Sequence, residues 1–482
     1  MRLKEIFKNL SIDSDIEIKD LSVDPRNVLK KNTLFFIKGG KNFDIFSILN
    51  SIKKENISSF VASYKDKDKL VNLIRDKPVI FVKDIDGEIK RISNLFYGFD
   101  NKYFKCIAIT GTNGKTTTAT LIWYLLKKLN KRVSLISTVK YCIKDKELPA
   151  LYTTPDYILL RKIFKEIKET RDEFVVMEAS SHGIHQNRLE GIKFLRCIFT
   201  NLSRDHLDYH RTMTNYFNAK RKLFITNKNA IPIINIDDFY GRKLIRELKK
   251  SITYGINLKC DFLAKNIILS KDKTEFDLLY KDKTYHVKSM LLGIHNVFNI
   301  LAGIACVSSL GFDIKDFIEF IIDFKGVDGR LEKVIDDIFV DYAHTPDALK
   351  KVLNTLREIG YKKIICVFGC GGNRDKGKRK MMGKVASFYA DFSFITSDNP
   401  RNEDPEDISR DIIRGFKKNN YKVILDRYEA IKSAIKFYFD NKKDTCILIA
   451  GKGHEDYQII KDKKIPFKDK EVVKEIIKNG NF

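Results

Sequence analysis

Gly111-Thr112-Asn113-Gly114-Lys115-Thr116-Thr117 follows the apolar run Cys106-Ile107-Ala108-Ile109-Thr110 and precedes a helix-like stretch, Ala119–Leu129. Strand, glycine loop, Lys-Thr pair and helix in that order predict a phosphate cradle. Glycines let backbone N–H groups close around phosphate oxygens, and the helix N-terminus adds a favourable dipole. Lys115 is then placed to reach the outer phosphates and Thr116 to ligate Mg²⁺. The loop is short, with two residues between Gly111 and Gly114. The common motif has four at that point. A Gly-Lys pair alone reads equally well as an ordinary turn; the flanking strand and helix decide for a nucleotide.

Outward from the loop the pattern repeats. Val133–Ile136, Phe174–Met177, Cys197–Thr200 and Ile231–Asn235 are short apolar runs of the kind that buried parallel strands show. They predict a central doubly wound sheet of the P-loop ATPase type over residues 101–326, with ligands at the carboxyl ends of its strands. Residues 1–100 alternate apolar runs (Leu34–Ile37, Phe60–Ala62, Val79–Val82) with charged loops, which predicts a small N-terminal α/β domain. Ile338–Val340, Ile364–Phe368, Phe392–Ile395 and Cys446–Ala450 are each followed by Gly, Asp or Asn in a loop, so residues 327–482 read as a C-terminal Rossmann-like domain. Three α/β domains suit a chain of 482 residues, since a domain takes about 100–200. Gly326-Val327-Asp328-Gly329 is the candidate hinge between the last two.

A formal net charge of +26, from 89 Lys and Arg against 63 Asp and Glu, raises nucleic acid as a partner. The lysines are spread along the whole chain, however, and no basic block interleaves with aromatics. Nucleic-acid binding is therefore not expected, while the same field would help attract an anionic substrate. The longest nearly apolar stretch, Leu291–Leu310, carries His295, Asn296 and Asn299, which is wrong for a membrane span. Glu5 stands where a signal peptide would place its apolar core. Of eight cysteines only Cys366 and Cys370 are close in sequence, which fits reduced thiols. The expectation is a cytoplasmic monomer with small-molecule partners and no stable membrane insertion.

The shortened loop resembles that of the ATP-dependent peptide-adding ligases of bacterial cell-wall synthesis, the Mur ligases, and that of the related folylpolyglutamate synthetases. Further stretches separate them: Met177-Glu178-Ala179-Ser180-Ser181-His182, Asn201-Leu202-Ser203-Arg204-Asp205-His206-Leu207-Asp208-Tyr209-His210, Tyr216 with Ala219-Lys220, and Asp341-Tyr342-Ala343-His344-Thr345-Pro346. Gly369-Cys370-Gly371-Gly372-Asn373-Arg374-Asp375, Asp398-Asn399-Pro400-Arg401 and Gly451-Lys452-Gly453-His454-Glu455 follow in order. Together they resemble the Mur ligases that add the third stem residue to a UDP-N-acetylmuramoyl-dipeptide, from about residue 22 to about 469. A folylpolyglutamate synthetase would explain the loop but not the last two stretches. A basic nucleic-acid-binding ATPase is the non-ligase rival.

The resemblance implies a reaction through an acyl phosphate, with Lys115, Glu178, His206, Lys220 and Arg330 at its centre. Thr116, Glu178, His206 and Lys220 would hold two Mg²⁺ ions, Lys220 as the lysine that CO₂ carbamylates in most of this family. A bare lysine would repel the metal, so the modification is chemically meaningful; the alternatives are a solvated helix lysine for Lys220 and an Asp-His turn for His206. Besides the loop, ATP contacts fall to Arg330, Asp341 and His344, and to Asn296 and Asn299, whose amides read the adenine edge or simply cap a helix. The UDP-sugar-dipeptide falls to Val23, Thr153, Thr154, Ser180, Gln186 and Arg188, with Lys41, Asn42 and Phe43 on the uridine side. Two departures stand out: Asp24-Pro25-Arg26 where the family often has Asp-Ser-Arg, and Tyr152 where some relatives have asparagine. The added amino acid falls to Arg374, Asp398, Asn399, Pro400, Arg401, Gly451 and Glu455. Arg401 and Arg374 can grip carboxylates bidentately, which favours meso-diaminopimelate over lysine, ornithine or lanthionine.

Overall fold

The structure, a computed structural model, describes residues 1–8, 15–38, 49, 52–144, 146–335 and 337–480. It forms two compact units, residues 1–107 with 132–195, and residues 108–131 with 196–482.

In the first unit the run Thr33-Leu34-Phe35-Phe36-Ile37 is apolar on both faces and makes an inner strand of a parallel sheet. The order is Asp20–Ser22, Thr33–Ile37, Ile57–Ser63, Val79–Val82. Such strands need cover on both sides. Leu34, Phe36 and Val61 pack with Ile89 and Ile92 of helix Ile85–Tyr97, while Phe35, Ile37, Phe60 and Ala62 pack with Leu70 and Ile74. The same unit holds the parallel pair Val133–Ile136 and Phe174–Glu178, and the helix Tyr157–Thr170, whose first N–H groups are capped by Asp156.

In the second unit the strand ending at Thr110 runs into the phosphate loop and helix Lys115–Lys128. That helix starts four residues before the expected Ala119, so Thr116 lies in its first turn. Strands Phe194–Phe199, Ile231–Asn235, Ile252–Gly255 and Phe262–Leu269 run parallel in that order. Helix Ile294–Ser309 packs on helix Lys115–Lys128 and is buried nearly all round, which accounts for its apolar reading. No described helix is long and apolar enough to cross a membrane.

Two antiparallel additions were not expected: the hairpin Lys140–Ile143 with Lys146–Pro149 in the first unit, and the meander Phe262–Leu269, Thr274–Tyr280, Lys283–Ser289 in the second. Lys283-Thr284-Tyr285-His286-Val287-Lys288-Ser289 buries only Val287 and Ser289, so no apolar run announces it.

The rest of the second unit is a six-stranded sheet in the order Glu332–Ile335, Ile338–Asp341, Thr445–Ala450, Lys363–Phe368, Phe392–Ile395, Tyr421–Val423. All neighbours but the first pair are parallel. Helices Pro346–Glu358, Gly377–Tyr389 and Pro405–Ile413 contribute to the core on one face, and Arg427–Phe439 and Asp469–Asn479 to the core on the other. This is a doubly wound sheet, with loops 342–345, 369–375, 396–401 and 451–455 at the carboxyl ends of its strands, where such folds bind ligands. All eight cysteines are free and seven are buried.

Candidate active site

The phosphate loop is held from below by backbone and amide contacts. Thr112 N–H donates to the Asn201 carbonyl at 2.9 Å, Asn113 N–H to Asn201 Oδ1 at 3.0 Å, and Thr200 Oγ1 to the Asn113 carbonyl at 2.7 Å. Gly114, at φ 83, takes the N-cap position, and a side chain there would run into the Asn299 amide. Such a φ strains any residue with a Cβ. Asn296 donates to the Leu292 carbonyl at 2.9 Å, and Asn299 to Asn296 Oδ1 at 2.8 Å. Neither caps its helix, where Gly293 stands at the N-cap; the Asn299 amide packs against Gly114 of the phosphate loop.

Two ammonium groups converge on one carbonyl oxygen of this loop. Lys115 Nζ donates to the Gly111 carbonyl at 3.0 Å and to that of Thr112 at 2.8 Å, and Lys220 Nζ to the Gly111 carbonyl at 2.7 Å. Lys220, on helix Met213–Thr226, is 1% exposed, so the solvated-lysine alternative is wrong. Burial, aided by the charge of Lys115, pushes its ammonium well below the ordinary lysine range. Tyr216, one turn earlier, lies under it with the ring 4.7 Å from Nζ, meets the His206 ring edge-on at 6.0 Å, and shares a hydrogen bond with Thr112 Oγ1 at 3.1 Å. His206 does sit in an Asp-His turn, at φ 53 with its N–H on Asp205 Oδ1 at 2.8 Å, and burial lowers its pKa. The sequence reading missed Tyr216 as a site residue; its i, i+4 spacing from Lys220 was the available signal.

Glu178 belongs to the first unit, at the end of strand Phe174–Glu178, and is fully buried. Thr138 donates to its carboxylate from N–H at 2.7 Å and from Oγ1 at 3.1 Å. Thr138 also meets Thr153 at 3.1 Å, and Thr154 donates to the Glu178 carbonyl at 2.9 Å and to Ser180 Oγ at 3.0 Å. Arg188 donates to the Thr154 carbonyl at 2.7 Å and to Gln186 Oε1 at 2.6 Å. Thr153, Thr154, Ser180, Gln186 and Arg188 are thus one cluster, with Thr138 as a member that no sequence pattern marked. The two departures meet beside it: Tyr152 hydrogen-bonds Asp24 and Arg26, and the Arg26 and Arg188 guanidinium carbons lie 5.0 and 5.3 Å from its ring centre. Val23 lines a nearby cavity of about 190 Å³ with Ser22, Asn27, Tyr141 and Leu151. Lys41, Asn42 and Phe43 lie outside the described residues.

The C-terminal sheet assembles a third cluster. Asp341 accepts from the N–H groups of Leu331 at 2.6 Å and Ala343 at 2.7 Å, and burial raises its pKa against the charge of Arg330. Arg330 lies over the Tyr342 ring at 4.8 Å, and its buried Nε has no hydrogen-bond partner among the described residues. His344 Nδ1 is 2.8 Å from the Tyr342 carbonyl, and burial lowers its pKa. His454, against Tyr342 at 5.0 Å, is pushed by burial to about 4. Gly329 and Gly453 face each other so closely that a Cβ on either would strike the other's backbone.

In the adjoining loops Asn399 donates to Glu455 Oε2 at 2.9 Å and accepts from Ile459 N–H at 2.9 Å. Arg401, at φ 52, is pinned by Nη1 on the Gly372 carbonyl at 2.9 Å and by its N–H on Ile459 at 3.0 Å. Its Nε and Nη2 make no hydrogen bond among the described residues. Burial raises the Asp398 carboxyl, and Arg374 is exposed. Pro400 and Gly451 complete these loops.

Known proteins share the sequence pattern and the fold. Residues 109–307 match the Mur ligase middle domain, and residues 329–453 the Mur ligase glutamate ligase domain. A UDP-N-acetylmuramoyl-L-alanyl-D-glutamate–2,6-diaminopimelate ligase of Clostridium botulinum is 38% identical over 99% of this chain and all of its own. A solved structure under the same enzyme name superposes with a TM-score of 0.62 at 30% identity, covering 100% of this chain and 99% of that one. The MurF ligase of Thermotoga maritima in complex with ADP gives a TM-score of 0.63 at 18% identity, over 97% of this chain and 98% of its own, a likeness of fold alone. The chain belongs to the Mur ligase family, among its UDP-N-acetylmuramoyl-L-alanyl-D-glutamate–2,6-diaminopimelate ligases.

Proposed function

We propose that the protein joins meso-diaminopimelate to UDP-N-acetylmuramoyl-L-alanyl-D-glutamate using ATP. One observation carries the reading: in a chain that aligns end to end with ligases of that name, Arg401 keeps two donor groups uncommitted beside the Asn399–Glu455 pair. A guanidinium with a free edge suits the far carboxylate of diaminopimelate, which lysine lacks. Residues 1–100 bind the UDP-sugar, 101–326 the ATP and 327–482 the amino acid, in a cytoplasmic monomer acting on small molecules.

The loop's backbone N–H groups hold the polyphosphate, with Lys115 and Arg330 set to stabilise charge on the group in transfer. The γ-phosphoryl group passes to the side-chain carboxylate of the D-glutamate residue. The amine of diaminopimelate attacks the acyl phosphate; the amide forms, and ADP and phosphate leave. In the first unit the Glu178 carboxylate, and in the second the Thr116 hydroxyl, are hard oxygen donors of the kind Mg²⁺ takes, and the His206 imidazole is a softer nitrogen donor; Mg²⁺, when bound, would neutralise and align phosphate oxygens. A bare Lys220 ammonium does not fit that set. Its lowered pKa leaves the free amine that reaction with CO₂ requires, and as a carbamate it becomes an anionic ligand. Thr153, Thr154, Ser180, Gln186, Arg188 and Val23 bind the acceptor.

The test is phosphate release from ATP. Release that needs both UDP-N-acetylmuramoyl-dipeptide and diaminopimelate is the expected result. Release supported instead by folate with glutamate, or by DNA or RNA, overturns the proposal.

A further inference from the structure

Lys452 is wholly buried, yet it is a cation with three acceptors around it: Glu455 Oε2 at 3.1 Å, Asn399 Oδ1 at 3.4 Å and Asp398 Oδ1 at 3.9 Å. Taking an ammonium group out of water is costly, and a buried ion pair often stabilises no more than an apolar replacement would. Stability alone therefore does not account for a lysine at this position.

The contacts suggest a role. Both acceptors that bond Lys452 belong to the loops assigned to the amino acid. Glu455 directs Oε2 to Lys452 and to Asn399, and Oε1 has no hydrogen-bond partner among the described residues. Asn399 has its amide orientation fixed, since Oδ1 faces two donors, Lys452 and Ile459 N–H, and Nδ2 faces Glu455. The main chain of the same loops is secured separately. Arg427, clamped by two 2.7 Å bonds to the equally buried Asp469, donates to the carbonyls of Ala450 at 3.1 Å and Ser397 at 3.4 Å, the residues just before Gly451 and Asp398.

We propose that Lys452 is a positioning and specificity-determining residue: it holds the Glu455 carboxylate and the Asn399 amide in register for an incoming amino acid, and offsets one of the two carboxylates so that a diacid is accepted. Without its charge, Asp398 and Glu455 present an extra uncompensated negative charge. That favours a substrate with one carboxylate and a terminal cation over one with two carboxylates.

The test is Lys452→Met, similar in volume, assayed with meso-diaminopimelate and with L-lysine. Because Arg427 and Asp469 still hold the loop backbones, the fold should survive; should it not, Lys452→Gln carries the same measurements. The KM for diaminopimelate is expected to rise at least about tenfold, that for ATP to stay within about twofold, and the diaminopimelate-to-lysine ratio of kcat/KM to fall at least about tenfold, or 1.4 kcal/mol. Equal losses for both substrates, or an unchanged diaminopimelate KM, overturn the proposal. It rests on these loops being the amino-acid site, and Arg401→Ala separates the two failures. If only the Lys452 role is wrong, Arg401→Ala still raises the diaminopimelate KM; if the site is wrong, it does not.

Discussion

The phosphate loop and the amino-acid loops sit in one unit and solve recognition in opposite ways. At Gly111–Thr117 the proposed binding groups are main-chain N–H donors, and the neighbours, Asn201, Thr200 and Asn299, brace the loop or fill the space where a Cβ would go. At 398–401 and 451–455 the proposed binding groups are side chains beside a buried network of Lys452, Asn399, Glu455 and Arg427. A phosphate is the same in every nucleotide, so backbone geometry suffices. An amino acid is told from its analogues by charges at its ends, and those need placed side chains.

The comparison predicts its own breaking points. The loop should fail outright when its one cationic side chain goes. Lys115→Ala is expected to cost about 10²–10³-fold or more in kcat with the fold intact, as loss of a charge-stabilising donor does; near-wild-type turnover would remove the loop from the mechanism. Lys220→Ala is expected to be nearly inactive, and short carboxylates added to the assay should restore part of the rate by occupying the vacated ligand position. Full activity without them rejects the carbamate. Mass spectrometry of gently handled protein provides an independent check.

Damage to the amino-acid loops should be selective. Arg401→Ala leaves a desolvated carboxylate without its partner, about 2–5 kcal/mol, or roughly 30- to 4000-fold in diaminopimelate affinity. L-Lysine should lose little. Parallel losses for both would place Arg401 outside the specificity site.

The smallest effect has the opposite sign. Burial holds the Asp398 carboxyl above its ordinary range, so the folded state keeps its proton where the unfolded chain has released it. Ionised Asp398 therefore opposes folding, absent below about pH 4 and growing as pH rises through the folded pKa. Asp398→Asn should unfold about 0.5–2 kcal/mol less readily at neutral pH and converge with wild type in acid, while losing activity. Melting curves from pH 3 to 8 decide; a destabilised variant at pH 7 contradicts the claim.

Legibility in the sequence followed the same divide. The phosphate loop, its strand and every apolar strand of the C-terminal sheet could be read because buried parallel strands are continuous apolar runs. The solvated hairpin and meander could not, since a strand with one wet face leaves only a broken pattern. Residues proposed to bind directly, such as Glu178, Arg188 and Arg401, stand inside recognisable stretches. Groups that hold the loops and side chains are less marked: Thr138 reaches the Glu178 carboxylate and Arg427 the Ala450 carbonyl from distant parts of the chain, and nothing local marks such a contact. Pro25 and Tyr152 looked like unrelated oddities until Asp24, Arg26 and Tyr152 proved to be one hydrogen-bonded group.

Gly329 and Gly453 press backbone on backbone, with the Tyr342 N–H on the Gly329 carbonyl at 2.9 Å beside them. In evolutionary terms the two positions share one fate. A side chain gained at either is a steric lesion at both, and no single compensating change at the other can make it smaller than glycine already is. Drift at this seam is closed, so descendants of this chain can re-tailor the amino-acid loops around it but inherit the seam itself unchanged.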